Sequence, residues 1–384
     1  MSVTAAKGFL AAGIAAGIKD NGNPDLALVV NSGPRLAAAG VFTANRVKAA
    51  PVRWSEQVLK GGRVSAVILN SGGANACTGP LGFQDTHATA EKVAEVLDGH
   101  SAAEVAVAST GLIGVRLPMD KLLPGVEKAA AELTAHGGDK AAIAIKTTDS
   151  VHKTAQVTKD GWTVGGMAKG AGMLAPGLAT MLAVLTTDAD VPAEQLDAAL
   201  RAATRTTFDR VDSDGCMSTN DTVLLLASGA SGTVPDPDAF AEAVREVCAD
   251  LARQLIGDAE GASKDIRIEV INAASEDDAV EVGRSIARNN LLKCALHGED
   301  PNWGRVLSAI GTTSAAFDPD RLNVAINDVW VCRNGSVGED RDLVDMRYRE
   351  VRITADLAAG TASAVIWSND LTADYVHENS AYSS

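Results

Sequence analysis

Aromatic residues are scarce in this chain, at 4% of 384 residues, whereas the apolar types together reach 46%. The core must therefore be packed mainly from aliphatic side chains and from close approaches that glycine permits. Such an apolar fraction is typical of a globular protein and excludes a disordered one. A chain of this length is expected to form two or three structural units.

The chain also lacks a cationic segment. Lys and Arg total 34 against 49 Asp and Glu, which gives a formal net charge of −15, and no Lys/Arg run occurs. Because nucleic acids and anionic membranes are bound through clustered cations, neither is an expected partner. No apolar run reaches the roughly 18 residues of a membrane span, and residues 8–18 fit a first strand and loop better than a signal peptide. We expect a cytoplasmic enzyme acting on small molecules.

Metal-binding patterns are missing as well. The five cysteines are scattered without a C-x-x-C pair, and the six histidines form no H-x-x-x-H. We therefore expect free thiols, no metal and no cofactor. A thiol nucleophile at Cys77 is disfavoured because no base lies near it in the sequence.

Strand-like and helix-like patterns alternate along the whole chain. Strands are predicted at 26–31, 64–70, 104–110, 154–158, 162–168, 181–187, 222–227, 266–273, 322–332, 350–356 and 361–367. Helices are predicted at 84–98, 119–135, 193–206, 236–256 and 276–289. This mixture indicates an α+β fold in which helices pack on layered, mainly antiparallel sheets.

A stretch rich in Gly and Pro, residues 165–177, leads directly into the strand predicted at 181–187. Such a segment can hold one peptide bond under strain beside a hydroxyl, here the bond between Ala179 and Thr180. Attack of Thr180 Oγ on the Ala179 carbonyl, followed by hydrolysis, would free the Thr180 α-amine. That amine titrates near roughly 7.7–8.0 and can act as the base for its own hydroxyl.

Two other interpretations of this stretch remain open on composition alone. It can be an ordinary loop before an ordinary strand threonine. It can also be compared with a dinucleotide-binding loop, but Pro176 and Gly177 stand where that motif needs a helix.

Residues 169–183, K-G-A-G-M-L-A-P-G-L-A-T-M-L-A, resemble the cleavage-site signature of the ornithine acetyltransferase family, the bifunctional ArgJ type of arginine biosynthesis. Further blocks resemble those of the family and follow in its order: N-S-G-G-A-N-A-C-T-G (70–79), A-S-T-G-L-I-G (108–114), T-T-D-S (147–150), S-T-N-D-T (218–222), D-A-E-G-A-S-K (258–264) and D-P-N-W-G-R (300–305). The resemblance covers essentially the whole chain.

The resemblance implies a four-layer sandwich of the self-cleaving threonine-nucleophile kind, as in DmpA and ArgJ proteins. It implies cleavage into an α chain, 1–179, and a β chain, 180–384, assembled as two α and two β chains. The implied reaction moves acetyl from N2-acetylornithine to glutamate through acetyl-Thr180. Acetyl-CoA is a second donor in some members.

The resemblance also implies roles for particular residues. Thr180 is the nucleophile and binds the acyl group, while the Thr110 hydroxyl and the Gly111 backbone N–H stabilise the oxyanion. Substrate contacts are expected from Lys169, Thr147, Asn379 and Ser384 as donors and from Glu260 as the partner of an ammonium. Two rival functions are an amidase or aminopeptidase on the same scaffold and a catalytically silent amino-acid-binding protein.

Overall fold

The computed structural model describes residues 2–175 and 181–381. Two compact units form among them. Positions up to 209 together with 216–258 make the first, and positions 210–215 together with 259–381 make the second. The first unit therefore draws elements from both sides of the predicted cleavage point.

In the first unit, buried apolar runs form the strands. These strands are β1 Phe9–Ile14, β2 Leu26–Asn31, β3 Ala37–Phe42, β4 Ala66–Ser71, β5 Val105–Thr110, β6 Lys153–Lys159, β7 Trp162–Lys169, β8 Leu182–Thr187 and β9 Thr222–Ala227. The helices are α1 Ala50–Leu59, α2 Gly79–Val96, α3 Met119–Ala131, α4 Gly138–Ala144, α5 Ala193–Thr206 and α6 Pro237–Gly257. Strands β2, β4 and β8 are buried at every position, which explains why their sequences are continuously apolar rather than alternating.

Two sheets form the centre of the first unit. One has the strand order β1-β2-β4-β5 and the other has the order β3-β9-β8-β7-β6. Neighbouring strands are antiparallel, except for the parallel pairs β4 with β5 and β8 with β9.

These sheets lie face to face and helices cover their outer sides. Val29 of β2 and Val184 of β8 belong to the core cluster between the sheets. Ile68 of β4 packs instead with Val93 of α2 in a second cluster on the outer face. Helices α5 and α6 pack against β3, β6 and β7 of the other sheet. The order helix, sheet, sheet, helix confirms the predicted α+β sandwich.

The second unit is a smaller α+β layer pair. Its strands are β10 Asp265–Ala273, β11 Asn323–Ile326, β12 Val329–Arg333, β13 Ser336–Val337, β14 Glu350–Asp356 and β15 Ala362–Asn369, and its helices are α7 Glu276–Ala287, α8 Asn290–His297, α9 Trp303–Ile310 and α10 Ala373–Ala381. The sheet order is β13-β12-β11-β14-β10-β15, with only β10 and β14 parallel. Apolar residues of α7 and α9 pack on this sheet.

The structure corrects one predicted strand. The strand expected at 322–332 is a hairpin, β11 and β12, because Asn327 and Asp328 have positive φ values of 47° and 68° and reverse the chain. Helices α1, α4, α8, α9 and α10 were not predicted, since each is ten residues or shorter and spans too few turns to establish a helical period. Within the described part of the chain, no helix is long and apolar enough to cross a membrane.

Candidate active site

The first part of the site is the end of β5, where Ser109 and Thr110 are followed by Gly111. All six residues of β5 are buried, including Thr110 at its end. The Thr110 carbonyl accepts hydrogen bonds from the amides of Gly72 and Gly73, each at 3.0 Å. Gly111 has a φ of 131°, and a Cβ there would lie 2.5 Å from the Gly73 nitrogen. Only glycine fits this turn.

The Thr110 side chain contacts a buried lysine. Lys169, the last residue of β7, donates from Nζ to Thr110 Oγ1 at 3.3 Å. A hydroxyl that accepts from an ammonium keeps its own hydrogen for another acceptor. The Gly111 N–H has no acceptor among the described residues. Two hydrogen-bond donors are therefore available at the end of β5, an arrangement that can stabilise a developing oxyanion.

A buried amide network fixes the end of β5. The Asn220 side-chain amide donates to the carbonyls of Ser109, at 2.8 Å, and Ala74, at 2.6 Å. Ser109 Oγ donates to Asn70 Oδ1 at 2.6 Å, and Asn70 Nδ2 donates to the Gly73 carbonyl at 2.9 Å. Asn220 lies in the S-T-N-D-T block, for which the sequence predicted no role. These bonds hold Thr110 and the adjoining turn in one geometry.

The carboxylate of Asp149 lies between two of the predicted substrate-binding positions. Its Oδ2 accepts from the Thr147 amide at 3.0 Å, and its Oδ1 accepts from the Gly170 amide at 2.6 Å, directly after Lys169. The structure thus brings Thr147 and Lys169 to one buried group. Asp149 is part of the T-T-D-S block, in which only Thr147 was predicted to bind substrate.

Asp149 also belongs to a buried chain of ion pairs. Lys153 Nζ lies 2.7 Å from Asp149 Oδ1 and 2.6 Å from Asp258 Oδ2, and the Lys153 side chain is completely buried. Burial alone would raise the pKa of Asp149, but the positive charges of Lys169 and Lys153 and the Gly170 N–H lower that pKa to about 2. Asp149 is therefore a carboxylate at neutral pH.

The second unit holds two further residues of the predicted site. Asn379, on α10, donates from Nδ2 to Glu260 Oε2 at 2.9 Å and to the Tyr375 carbonyl at 3.0 Å. The structure therefore brings Glu260 and Asn379 together. Ala179, Thr180 and Ser384 lie outside the described residues.

A four-layer sandwich with two available hydrogen-bond donors beside a buried ammonium is typical of the acyl-transferring enzymes. The comparison with family models is specific: the model of the ArgJ family matches residues 10–384. The chain belongs to the ArgJ family. It is an acetyltransferase of arginine biosynthesis.

Curated relatives match over their full length. The arginine biosynthesis bifunctional protein ArgJ of Streptomyces avermitilis is 84% identical over 384 residues, and that of Streptomyces coelicolor is 81% identical, each match covering 100% of both chains. Among solved structures, the ornithine acetyltransferase of Mycobacterium tuberculosis in complex with ornithine is 63% identical. That match covers 47% of this chain and 96% of the other, with a TM-score of 0.45.

Proposed function

We propose that this enzyme transfers acetyl from N2-acetyl-L-ornithine to L-glutamate, giving ornithine and N-acetylglutamate, with acetyl-CoA as a candidate second donor. Support comes from the family match and from relatives described as bifunctional. The observation that carries the proposal is the end of β5, where Lys169 contacts Thr110 beside the Gly111 N–H.

Self-cleavage supplies the nucleophile in this proposal. Thr180 Oγ adds to the Ala179 carbonyl, the nitrogen of Thr180 leaves as an amine, and water then hydrolyses the ester. The products are fragments 1–179 and 180–384. Strand β8 pairs with β7, and β9 pairs with β3, so backbone hydrogen bonds within one sheet would keep the two fragments joined.

Acetyl transfer follows by the same chemistry. Thr180 Oγ attacks the acetyl carbonyl of the donor while the α-amine takes its proton, and that proton passes to the departing N2 amine of ornithine. The glutamate amine then attacks the acetyl ester and restores the Thr180 hydroxyl. The Thr110 O–H and the Gly111 N–H stabilise the oxyanion in both steps.

Substrate recognition requires partners for a carboxylate and for the δ-ammonium of ornithine. We assign Lys169 and Thr147 to donor contacts, and Glu260 to the ammonium, with Asn379 and Ser384 completing the set. Glu260 suits its role because Asn379 occupies one of its two carboxylate oxygens and can fix its orientation. We further propose a cytoplasmic assembly of two α and two β chains, which native mass spectrometry of the purified protein would test.

The test of the proposed reaction is the acceptor dependence of acetylornithine consumption. With purified enzyme, ornithine should appear continuously only when glutamate is present, together with an equal amount of N-acetylglutamate. Continuous release of acetate without glutamate would instead identify an amidase on the same scaffold. Binding of acetylornithine without any turnover would indicate an amino-acid-binding protein.

A further inference from the structure

Asp221 lies at the beginning of β8, although it is not part of that strand. It directly precedes β9, whose first residue Thr222 pairs with Leu182 of β8. Asp221 Oδ1 accepts from the Met181 amide at 3.1 Å, and the Thr222 amide donates to the Met181 carbonyl at the same distance. The Met181 nitrogen is covalently bonded to the carbonyl carbon of Thr180. Asp221 therefore holds the amide next to the proposed nucleophile.

The carboxyl group of Asp221 is buried and only half satisfied. The residue has 0% exposure, and its Oδ2 has no hydrogen-bond partner among the described residues. The charged groups near it are Lys169 on β7 and Asp209, which follows α5. Burial raises the pKa of Asp221 well above its usual range, and the Met181 N–H, the Ser218 hydroxyl and Lys169 offset this only in part. A buried carboxylate with an unpaired oxygen costs far more free energy than the neutral acid in the same place.

Resting on the function proposed above, we propose that Asp221 is a positioning residue that stays protonated at neutral pH, fixing the Met181 amide without placing a negative charge beside the new amino terminus at Thr180. A carboxylate close to an amine favours the ammonium form. The α-amine must be neutral to accept a proton from the Thr180 hydroxyl. A neutral acid at position 221 satisfies both requirements, because it orients the strand and leaves the amine free to lose its proton.

The test is Asp221→Asn, which keeps the acceptor for the Met181 amide and cannot ionise. We expect the variant to fold, to cleave completely and to retain kcat within about threefold of the wild type. The acid limb of its kcat/KM profile, which reports the α-amine, should stay within about 0.3 pH units of the wild-type limb.

Asp188 provides a matched control at the opposite end of β8. It is also buried, but both of its oxygens accept backbone N–H groups, from Thr163 at 2.8 Å and from Lys7 at 3.1 Å. Asp188→Asn loses one acceptor and should lower the melting temperature, while its pH profile should match the wild type. Asp221→Leu keeps no acceptor for Met181, so it should cleave at least about tenfold more slowly than Asp221→Asn.

Several outcomes would overturn the assignment. If Asp221 were ionised, its loss would lower the pKa of the amine, and the acid limb of Asp221→Asn would move down by about one pH unit. An Asp221→Asn chain that is insoluble, uncleaved or about 100-fold slower would show that the charge is required. All variants are compared with wild type in the same assay. A wild type that neither cleaves nor transfers acetyl rejects the proposed function, whereas a functional wild type beside an inactive Asp221→Asn rejects only this inference.

Discussion

Asp149 and Asp221 are both buried aspartates of the first unit, and both experience the positive charge of Lys169. Asp149 has an ammonium 2.7 Å away and two backbone N–H groups on its oxygens, so it is ionised. Asp221 has one backbone N–H and the Ser218 hydroxyl, and its Oδ2 has no partner among the described residues, so burial prevails and the acid is neutral. Two buried aspartates thus have opposite charge states, because the immediate partners decide which form is stable.

The largest effect on stability should come from removing Lys153, the ion-pair partner of Asp149. Lys153→Met leaves the buried Asp149 and the partly buried Asp258 without their shared ammonium, so the free energy of unfolding should fall by about 3–5 kcal/mol. Lys159→Met is the control, because Lys159 is also on β6 but forms a more exposed ion pair, with Glu246 of α6. This substitution should lower the free energy of unfolding by at most about 1 kcal/mol. Denaturant titration measures the free energy of unfolding of both variants. Equal decreases would show that the buried ion pairs of Lys153 do not stabilise the fold.

The second effect concerns Thr110, which contacts the Lys169 ammonium that acts on both aspartates. Thr110→Ala removes the hydroxyl that Lys169 contacts, and kcat should fall by about 10²–10³ with little change in stability. Thr89→Ala serves as a control, since Thr89 is a buried threonine on α2 that bonds its own helix. Its kcat should be unchanged. Wild-type turnover in Thr110→Ala would exclude Thr110 from the mechanism.

The contributions of the two aspartates to stability should change with pH in opposite directions. The Asp149 pKa is depressed to about 2 in the folded chain, so its contribution is present above the unfolded pKa of about 3.9 and is lost as pH falls toward 2. The stability gap between wild type and Asp149→Asn should therefore shrink by about 2–3 kcal/mol from pH 5 to pH 2.

The stability gap between wild type and Asp221→Asn should change with pH in the opposite direction. Because the folded pKa of Asp221 is raised, wild type loses stability relative to this variant as pH rises above about 4. Unfolding free energies of both variants across one pH series would check this. Gaps that move in the same direction would contradict the assigned charge states.

The smallest effect is expected in the second unit. Glu260→Ala should raise KM for acetylornithine about tenfold more than KM for glutamate, since only the former carries a side-chain ammonium. Asn379→Ala, which removes the contact to Glu260, should give a weaker change in the same direction. Equal changes for both substrates would assign Glu260 a structural role.

The sequence predicted the parts of the fold that depend on local pattern. Buried strands such as β8 were located because a run of six apolar or small residues is typical of a buried strand. For the same reason Thr110 and Gly111 could be placed at a strand end. The hairpin was missed because its two short strands were predicted as one, although Asn327 and Asp328 interrupt the apolar residues between them.

The charge states of the site could not be predicted from the sequence. Asp149 and Asp258 meet at Lys153 although 109 residues separate them, and no local pattern records such a contact. The Met181 amide and the Lys169 ammonium, which act on Asp221, likewise lie far from it along the chain. Sequence blocks identified where these residues are, but only their tertiary partners decide which is ionised.

The most direct test of the account is an intact-mass measurement on purified wild type and Thr180→Ala. Wild type should give two fragments divided between Ala179 and Thr180. With acetylornithine and no glutamate, the fragment beginning at Thr180 should gain one acetyl group, which glutamate then removes. Thr180→Ala should remain one chain of 39.4 kDa without an acetyl group. An uncleaved Thr180→Ala chain that still exchanged acetyl between ornithine and glutamate would contradict the account.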